Sequence, residues 1–296
     1  MTSTLVQRHR PHPSSSRTTD AHARTRDWAE IQERMLVPLY EAVYERLAVG
    51  AGTRLLGLGC GSGLALLMAA ARGATVCGVD TDERRLDLAR DRLTAVDAPG
   101  GPALPARLGL GGPENPCVQE AAAESAFTVV TAFEPLSALG AAGPAASVSA
   151  LAAAAARTER GGAVVLAGWG PPERCATSGV LGVGDRLADP MDSPGHHREV
   201  PPPVRWRPCG RDDLEELAAL AGLRPDGSGR VACPFGYADM DSAVRGLLST
   251  GLFDAAEQVT DPVQVRKEIT EALHPHQRAD GTVWMPNVFR YLICRV

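Results

Sequence analysis

Nine consecutive residues, Leu55-Leu56-Gly57-Leu58-Gly59-Cys60-Gly61-Ser62-Gly63, run from an apolar stretch into a glycine-rich turn, and a helical pattern opens at Leu64. Glycine lets a backbone approach a ligand closely and take φ > 0. The start of the following helix adds unpaired N–H groups and a partial positive charge, which suit a carboxylate or a phosphate. A second apolar run, Thr75–Val79, leads to Asp80. Neighbouring parallel strands end at one edge of a sheet, so Asp80 would stand beside the glycine turn, where its carboxylate can accept both hydroxyls of a ribose. Turn, helix, strand and terminal Asp in this order predict an adenosine-bearing ligand across the carboxyl ends of the first two strands.

A dinucleotide fingerprint requires G-x-G-x-x-G. Here Leu64 stands where its third glycine belongs. The G-x-G-x-G spacing, with Asp80 ending the next strand, instead resembles the class I S-adenosylmethionine-dependent methyltransferases. Trp28-Ala-Glu-Ile-Gln, Thr131-Ala-Phe-Glu134, Trp169-Gly-Pro-Pro-Glu-Arg-Cys175, Cys233-Pro-Phe-Gly-Tyr237 and Asn287-Val-Phe-Arg-Tyr-Leu-Ile293 are similar to a small-molecule branch related to the ubiquinone and menaquinone methyltransferases. The likeness runs from about Trp28 to Val296.

By position, the resemblance implies that Gly59, Cys60, Gly61 and Gly63 surround the methionine part of the cofactor S-adenosyl-L-methionine, and that Asp80 holds its ribose. Thr81 and Arg85 would flank the adenine, where a guanidinium plane can stack. Phe133 and Glu134 would form the floor of the methyl-transfer site, with Trp28 and Tyr40 capping the cofactor. The implied function is methyl transfer to a small molecule of specialised metabolism.

The chain departs from the family in three places. Gly57 stands where an acid usually orients the loop and the cofactor ammonium. No Asp follows the third strand to take the adenine amino group, and Asn115 and Glu120 are the substitutes at hand. Glu134 follows Phe133, where an aromatic or Asn is usual. These departures leave open a methyltransferase-fold protein that binds the cofactor or its product but catalyses a non-methylating reaction such as cyclisation. A nicotinamide-dependent oxidoreductase, which Leu64 disfavours, and a non-enzymatic binding protein are the remaining alternatives. Gly57→Asp is expected to tighten cofactor binding, unless the space beside Gly57 has been re-used, in which case it destabilises.

The elements that must position these residues alternate. Trp28–Leu47 has apolar residues at three- and four-residue spacing, with a break or kink at Pro38. Strand patterns at Arg54–Leu58, Thr75–Val79, Phe127–Ala132 and Ala163–Ala167 alternate with helical ones at Leu64–Ala71, Glu83–Leu93 and Ala145–Arg157. Such alternation predicts a doubly wound, Rossmann-like α/β fold, and the resemblance implies a seven-stranded sheet whose last strand is antiparallel. Asp97–Gln119 reads as a loop with a weak strand at Ala106–Leu110. Gly170–Pro203 is Pro- and Gly-rich and too long for a routine connection, so it reads as a lid. Asp212–Ala221, Asp239–Leu248 and Pro262–Leu273 read as helices, with strands at Arg230–Cys233 and Asn287–Cys294.

The expected organisation is a disordered tail at 1–26 and a methyltransferase domain at 27–296. Within it, 51–170 would bind the cofactor, and 171–205 and 238–275 would form a helical substrate cap. His274-Pro-His276 follows a helix, where an imidazolium favours the carboxyl end of the dipole. The other reading of His274 is a general base, the commonest role for His near neutral pH.

Composition narrows the class. The chain has 296 residues, 44% hydrophobic and 22% charged, with a formal net charge of −5, against the basic stripe of a nucleic-acid binder. Lys267 is the one lysine and no P-loop precedes it, which argues against Schiff-base and P-loop chemistry. Seven cysteines without a CxxC argue against a disulfide framework or a zinc site and for a reducing cytoplasm. No apolar run reaches the ~20 residues a membrane span needs. The expected partner is a small-molecule acceptor, without nucleic acid, membrane or metal, and with a homodimer left open.

Overall fold

The computed structural model describes residues 21–94, 106–133, 143–188, 210 and 212–296. Its centre is a seven-stranded sheet in the order β3-β2-β1-β4-β5-β9-β6. The strands are β1 (Arg54–Leu58), β2 (Thr75–Asp80), β3 (Ala106–Leu110), β4 (Phe127–Ala132), β5 (Thr158–Trp169), β6 (Arg224–Ala232) and β9 (Val288–Arg295). β9 runs antiparallel to both β5 and β6, and the pairs from β3 to β5 are parallel. β7 (Phe235–Tyr237) and β8 (Val283–Met285) form a separate two-stranded pair.

Period-two alternation splits the strand residues between two cores. Leu55, Val129, Val165 and Ile293 face one side. Leu56, Val130, Val164 and Leu292 face the other. All are buried, so the sheet is covered on both faces, as a parallel sheet must be. Fully burying one such side chain contributes about 1.5–3 kcal/mol.

The helices are α1 (Val37–Arg46), α2 (Leu64–Ala71), α3 (Glu83–Thr94), α4 (Pro116–Glu124), α5 (Gly143–Ala155), α6 (Thr177–Ala188), α7 (Asp213–Leu220), α8 (Met240–Leu248), α9 (Asp254–Val259) and α10 (Pro262–Leu273). A helical stretch at 21–27 precedes a π-turn at Trp28–Gln32 and a 3-10 turn at Glu33–Leu36. Pro38 lies in the first turn of α1, where its missing N–H would have no intrahelical partner anyway. The irregularity therefore precedes Pro38.

Four expectations change. Residues 21–26, expected in a disordered tail, are helical, and Arg24 reaches the Leu248 carbonyl at 2.7 Å, Glu257 at 3.3 Å and Asp254. Asp97–Gln119 ends in a helix, α4, capped by Asn115. The Gly170–Pro203 stretch contains α6, whose Val180, Leu181 and Val183 are buried; small residues at 179, 182 and 184 hide its helical period. α9, absent from the sequence reading, places Asp254 in a first turn paired with Arg24.

Candidate functional site

The glycine turn leaves β1 between two neighbours. Gly57 pairs with Gly78 of β2 on one side and with Thr131 of β4 on the other. Gly59, Gly61 and Gly63 all take positive φ, at 60°, 56° and 79°. The turn is closed by Cys60 N–H on the Val79 carbonyl at 3.0 Å and Gly63 N–H on the Cys60 carbonyl at 3.0 Å.

The three glycines differ in what they admit. A Cβ on Gly63 would stand 2.9 Å from the Ala89 Cβ of α3. Gly63 therefore lets α2 and α3 pack together. A Cβ on Gly61 would stand 3.1 Å from Glu33 Oε1 and 3.4 Å from Trp28 Nε1. Gly61 faces a crevice, together with Gly57, Gly59, Cys60, Thr131 and Phe133. Its cavity volume is about 20 Å³, room for a water-sized group.

Asp80 is 4% exposed. One of its oxygens accepts Gly61 N–H at 2.8 Å and the other accepts Asp82 N–H at 2.8 Å. The carboxylate thus ties the end of β2 to the glycine turn. Thr81 is exposed. The Arg85 guanidinium lies 4.6 Å from the centroid of the Trp28 ring and 4.0 Å from Asp82. Phe133 closes the floor against Tyr40, at 5.1 Å between centroids, and Tyr44, at 5.8 Å. The Tyr44 hydroxyl donates to the Ala65 carbonyl at 2.9 Å and pins α1 to α2.

Three participants escape a sequence reading: Glu33, Ser62 and Arg92. Glu33 is 2% exposed. Its Oε2 accepts from the Ser62 hydroxyl and, at 2.7 Å, from Arg92 Nη1. Arg92 also donates to the Ser62 carbonyl at 2.9 Å. Burial pushes the Glu33 carboxyl up, against the opposing pull of Arg92, Ser62 and the Leu64 N–H. Trp28 and Glu33 are five positions apart, which on a regular helix sets them about 140° apart. The π-turn removes that offset: Glu33 N–H donates to the Trp28 carbonyl, and both side chains reach Gly61. Period-3.6 reasoning could not pair them. The Trp28-Ala-Glu-Ile-Gln motif, with Glu33 next, was the available signal.

Asn115 is consumed by structure, accepting Cys117 N–H at 2.9 Å and donating to the Leu110 carbonyl at 2.8 Å. Glu120 is exposed on α4. His274 is exposed at the end of α10 and is not among the crevice residues. Glu134 lies outside the described residues. Among the described residues, no cluster of three His, Cys, Asp or Glu could hold a metal ion, and no helix is long and apolar enough to cross a membrane.

Residues 56–165 match the family model for a methyltransferase domain. The methyltransferase GfsG of Streptomyces halstedii is 46% identical over 66 residues, which span 22% of this chain and 22% of that protein. YcgJ of Bacillus subtilis superposes with a TM-score of 0.52 at 15% identity, covering 87% of this chain and 98% of that one. YjhP of E. coli gives 0.49 at 16% identity, covering 92% and 98%. The segment containing the glycine turn, Asp80 and Phe133 thus matches a methyltransferase domain, and the chain has the Rossmann-like α/β fold of methyltransferases.

Proposed function

We propose that the protein transfers the methyl group of S-adenosylmethionine to a small molecule of specialised metabolism. The observation that carries this reading is the joint of β1, β2 and the glycine turn, where the Asp80 carboxylate and the bare Cα of Gly61 share one edge. The residues fit the cofactor. A side chain at Gly61 would fill the crevice, and the buried Trp28 Nε1 has no hydrogen-bond partner there.

The cofactor supplies an activated methyl group on a sulfonium. What this chain supplies is binding, orientation and exclusion of water. Asp80 is set to hold the ribose hydroxyls, and Gly59, Cys60, Gly61 and the N-terminus of α2 to receive the methionine part. Arg85, stacked on Trp28, flanks the adenine side with Thr81. Tyr40 and Phe133 wall the crevice with aromatic surface. Glu134, one residue beyond that wall, and His274 are the candidate proton acceptors, needed only if the methyl acceptor must lose a proton as it reacts.

The acceptor would enter beneath a cap formed by 171–205 and 238–275. In the described part of it, α8 and α10 pack on one another and α8 packs on the Trp28–Gln32 turn. The Tyr237 hydroxyl donates to Gln32 Oε1 at 2.9 Å. Cap and crevice wall are thus mechanically joined. Incubation with methyl-labelled S-adenosylmethionine and fractionated small-molecule extracts tests the reading. Label in an extractable small molecule supports it. Bound cofactor with no label transferred to any fraction favours the non-methylating alternative.

A further inference from the structure

The cysteines among the described residues are free thiols, and of these Cys117 alone is not buried. It stands at the second position of α4, where the Asn115 cap accepts its backbone N–H at 2.9 Å. Its sulfur lies over β3, since a Cβ on Gly109 would stand 2.6 Å from Cys117 Sγ. The missing side chain of Gly109 thus gives the thiol room against the sheet. β2 and β3 run parallel, with Cys77 paired to Arg107 and Val79 to Gly109. Residues two apart in a strand share a face, so Cys77, Arg107 and Gly109 lie on the side of the sheet that α4 covers. Cys77 belongs to the apolar core that holds Val79 and Val118, and Cys117 packs against it. There the two thiols hydrogen-bond one another.

The two sulfurs are not equivalent. Burial pushes both thiols up, Cys77 to about 12. Their shared hydrogen bond keeps the proton on Cys77 and favours the ionised form of Cys117. The Arg107 guanidinium favours a thiolate at either sulfur, and Glu120 opposes one at Cys117. Oxidation-sensitive cysteines are partly exposed, lie near positive charge and have a resolving thiol in reach. We infer that Cys117 and Cys77 form a peroxide-reactive dithiol that closes to a reversible disulfide. The Cys117 thiolate attacks one oxygen of hydrogen peroxide, the O–O bond breaks, and the departing hydroxide becomes water with the proton that Cys117 gave up. The Cys77 sulfur then attacks the sulfenic sulfur of Cys117. The S–S bond forms, the S–O bond breaks, and the hydroxyl leaves as water with the Cys77 proton. The pair is oxidised by two electrons and the peroxide is reduced to water. The new bond ties α4 to β2 three residues before Asp80. Neither cysteine lines the crevice beside the glycine turn, and the site does not rest on the cofactor reading.

The test is addition of hydrogen peroxide to the native full chain, then alkylation of the remaining thiols and peptide mass spectrometry without reduction. Wild type is expected to yield a cross-linked pair of peptides carrying Cys77 and Cys117. The pair should be lighter than the sum of its peptides by two hydrogens and should separate again in dithiothreitol. Cys77→Ser removes the resolving thiol, so Cys117 should stop at the sulfenic acid, where dimedone captures it. Cys117→Ser should leave the buried Cys77 unoxidised. Wild type in which Cys117 remains a thiol, ends as a sulfinic acid, or pairs with any cysteine other than Cys77 overturns the inference. Dimedone capture on Cys77 in Cys117→Ser overturns the assigned order of attack. The wild-type product decides the matter if Cys77→Ser does not fold.

Discussion

Placing an acid at position 57 separates sterics from charge. Gly57 is buried between Gly78 and Thr131 in the sheet. A Cβ added there meets Leu66 Cδ2 at 3.0 Å and Cys60 Cβ at 3.4 Å. Leu66, 1% exposed, would have to shift by a few tenths of an ångström. Overpacking of this kind costs about 1–3 kcal/mol. The carboxylate of Gly57→Asp would also be desolvated, and it would share the crevice with Glu33, a like charge. Together these predict a loss of about 3–5 kcal/mol. At about 2–4 °C per kcal/mol, Tm falls by about 6–20 °C. Gly57→Ala carries only the steric part and loses about 1–3 kcal/mol. The pH dependence follows. Desolvation raises the folded pKa of the new Asp above its unfolded value of about 3.9. Its penalty is absent below that value and grows as pH rises through the folded pKa. Thermal melts of both variants at pH 5 and pH 8, with and without S-adenosylhomocysteine, read all of this. The gap between Asp and Ala should widen at pH 8. A gap that does not change with pH, or a Gly57→Asp protein bound and stabilised more strongly by cofactor than wild type, refutes the reasoning.

Asp80→Ala leaves the N–H groups of Gly61 and Asp82 without their acceptor; it is expected to cost about 2–3 kcal/mol of stability by urea melts as well as cofactor affinity. Gly63→Ala should destabilise by about 1–3 kcal/mol, because its φ of 79° and the Ala89 contact at 2.9 Å both oppose a Cβ; if the variant folds, cofactor affinity should change little, since Gly63 does not face the crevice. Burial pushes the Cys77 and Cys233 thiols up to about 12 and Cys294 to about 11; native protein at pH 8 should leave these three unalkylated by iodoacetamide, and denatured protein should not, as read by peptide mass spectrometry.

The part of the chain around the glycine turn was legible because its signals are local. A glycine turn between an apolar run and a helix, and an Asp ending the next run, need no knowledge of distant contacts. The doubly wound sheet followed from strand–helix alternation, and the antiparallel position of β9 from the family resemblance. α4 and α6 were hidden because helices rich in small residues, such as Thr177–Ala188, bury their face without a marked apolar period. Glu33 was hidden for a different reason. Its proximity to Trp28 depends on a π-turn, and its value depends on Arg92, 59 residues away in sequence, and on Ser62. At Gly57 packing favours the destabilising outcome of the two expected: Leu66 and Cys60 crowd the space that a sequence leaves undrawn.

The central claim is that the glycine turn and Asp80 seat an adenosine cofactor. Calorimetric titration of wild type and Gly61→Val with S-adenosylhomocysteine tests it most directly. Valine at a φ of 56° would project toward Glu33 Oε1 and Trp28 Nε1, filling the crevice. The account predicts saturable binding of one ligand per wild-type chain and none to a folded Gly61→Val. Absence of binding to wild type, or equal binding to both proteins, contradicts it.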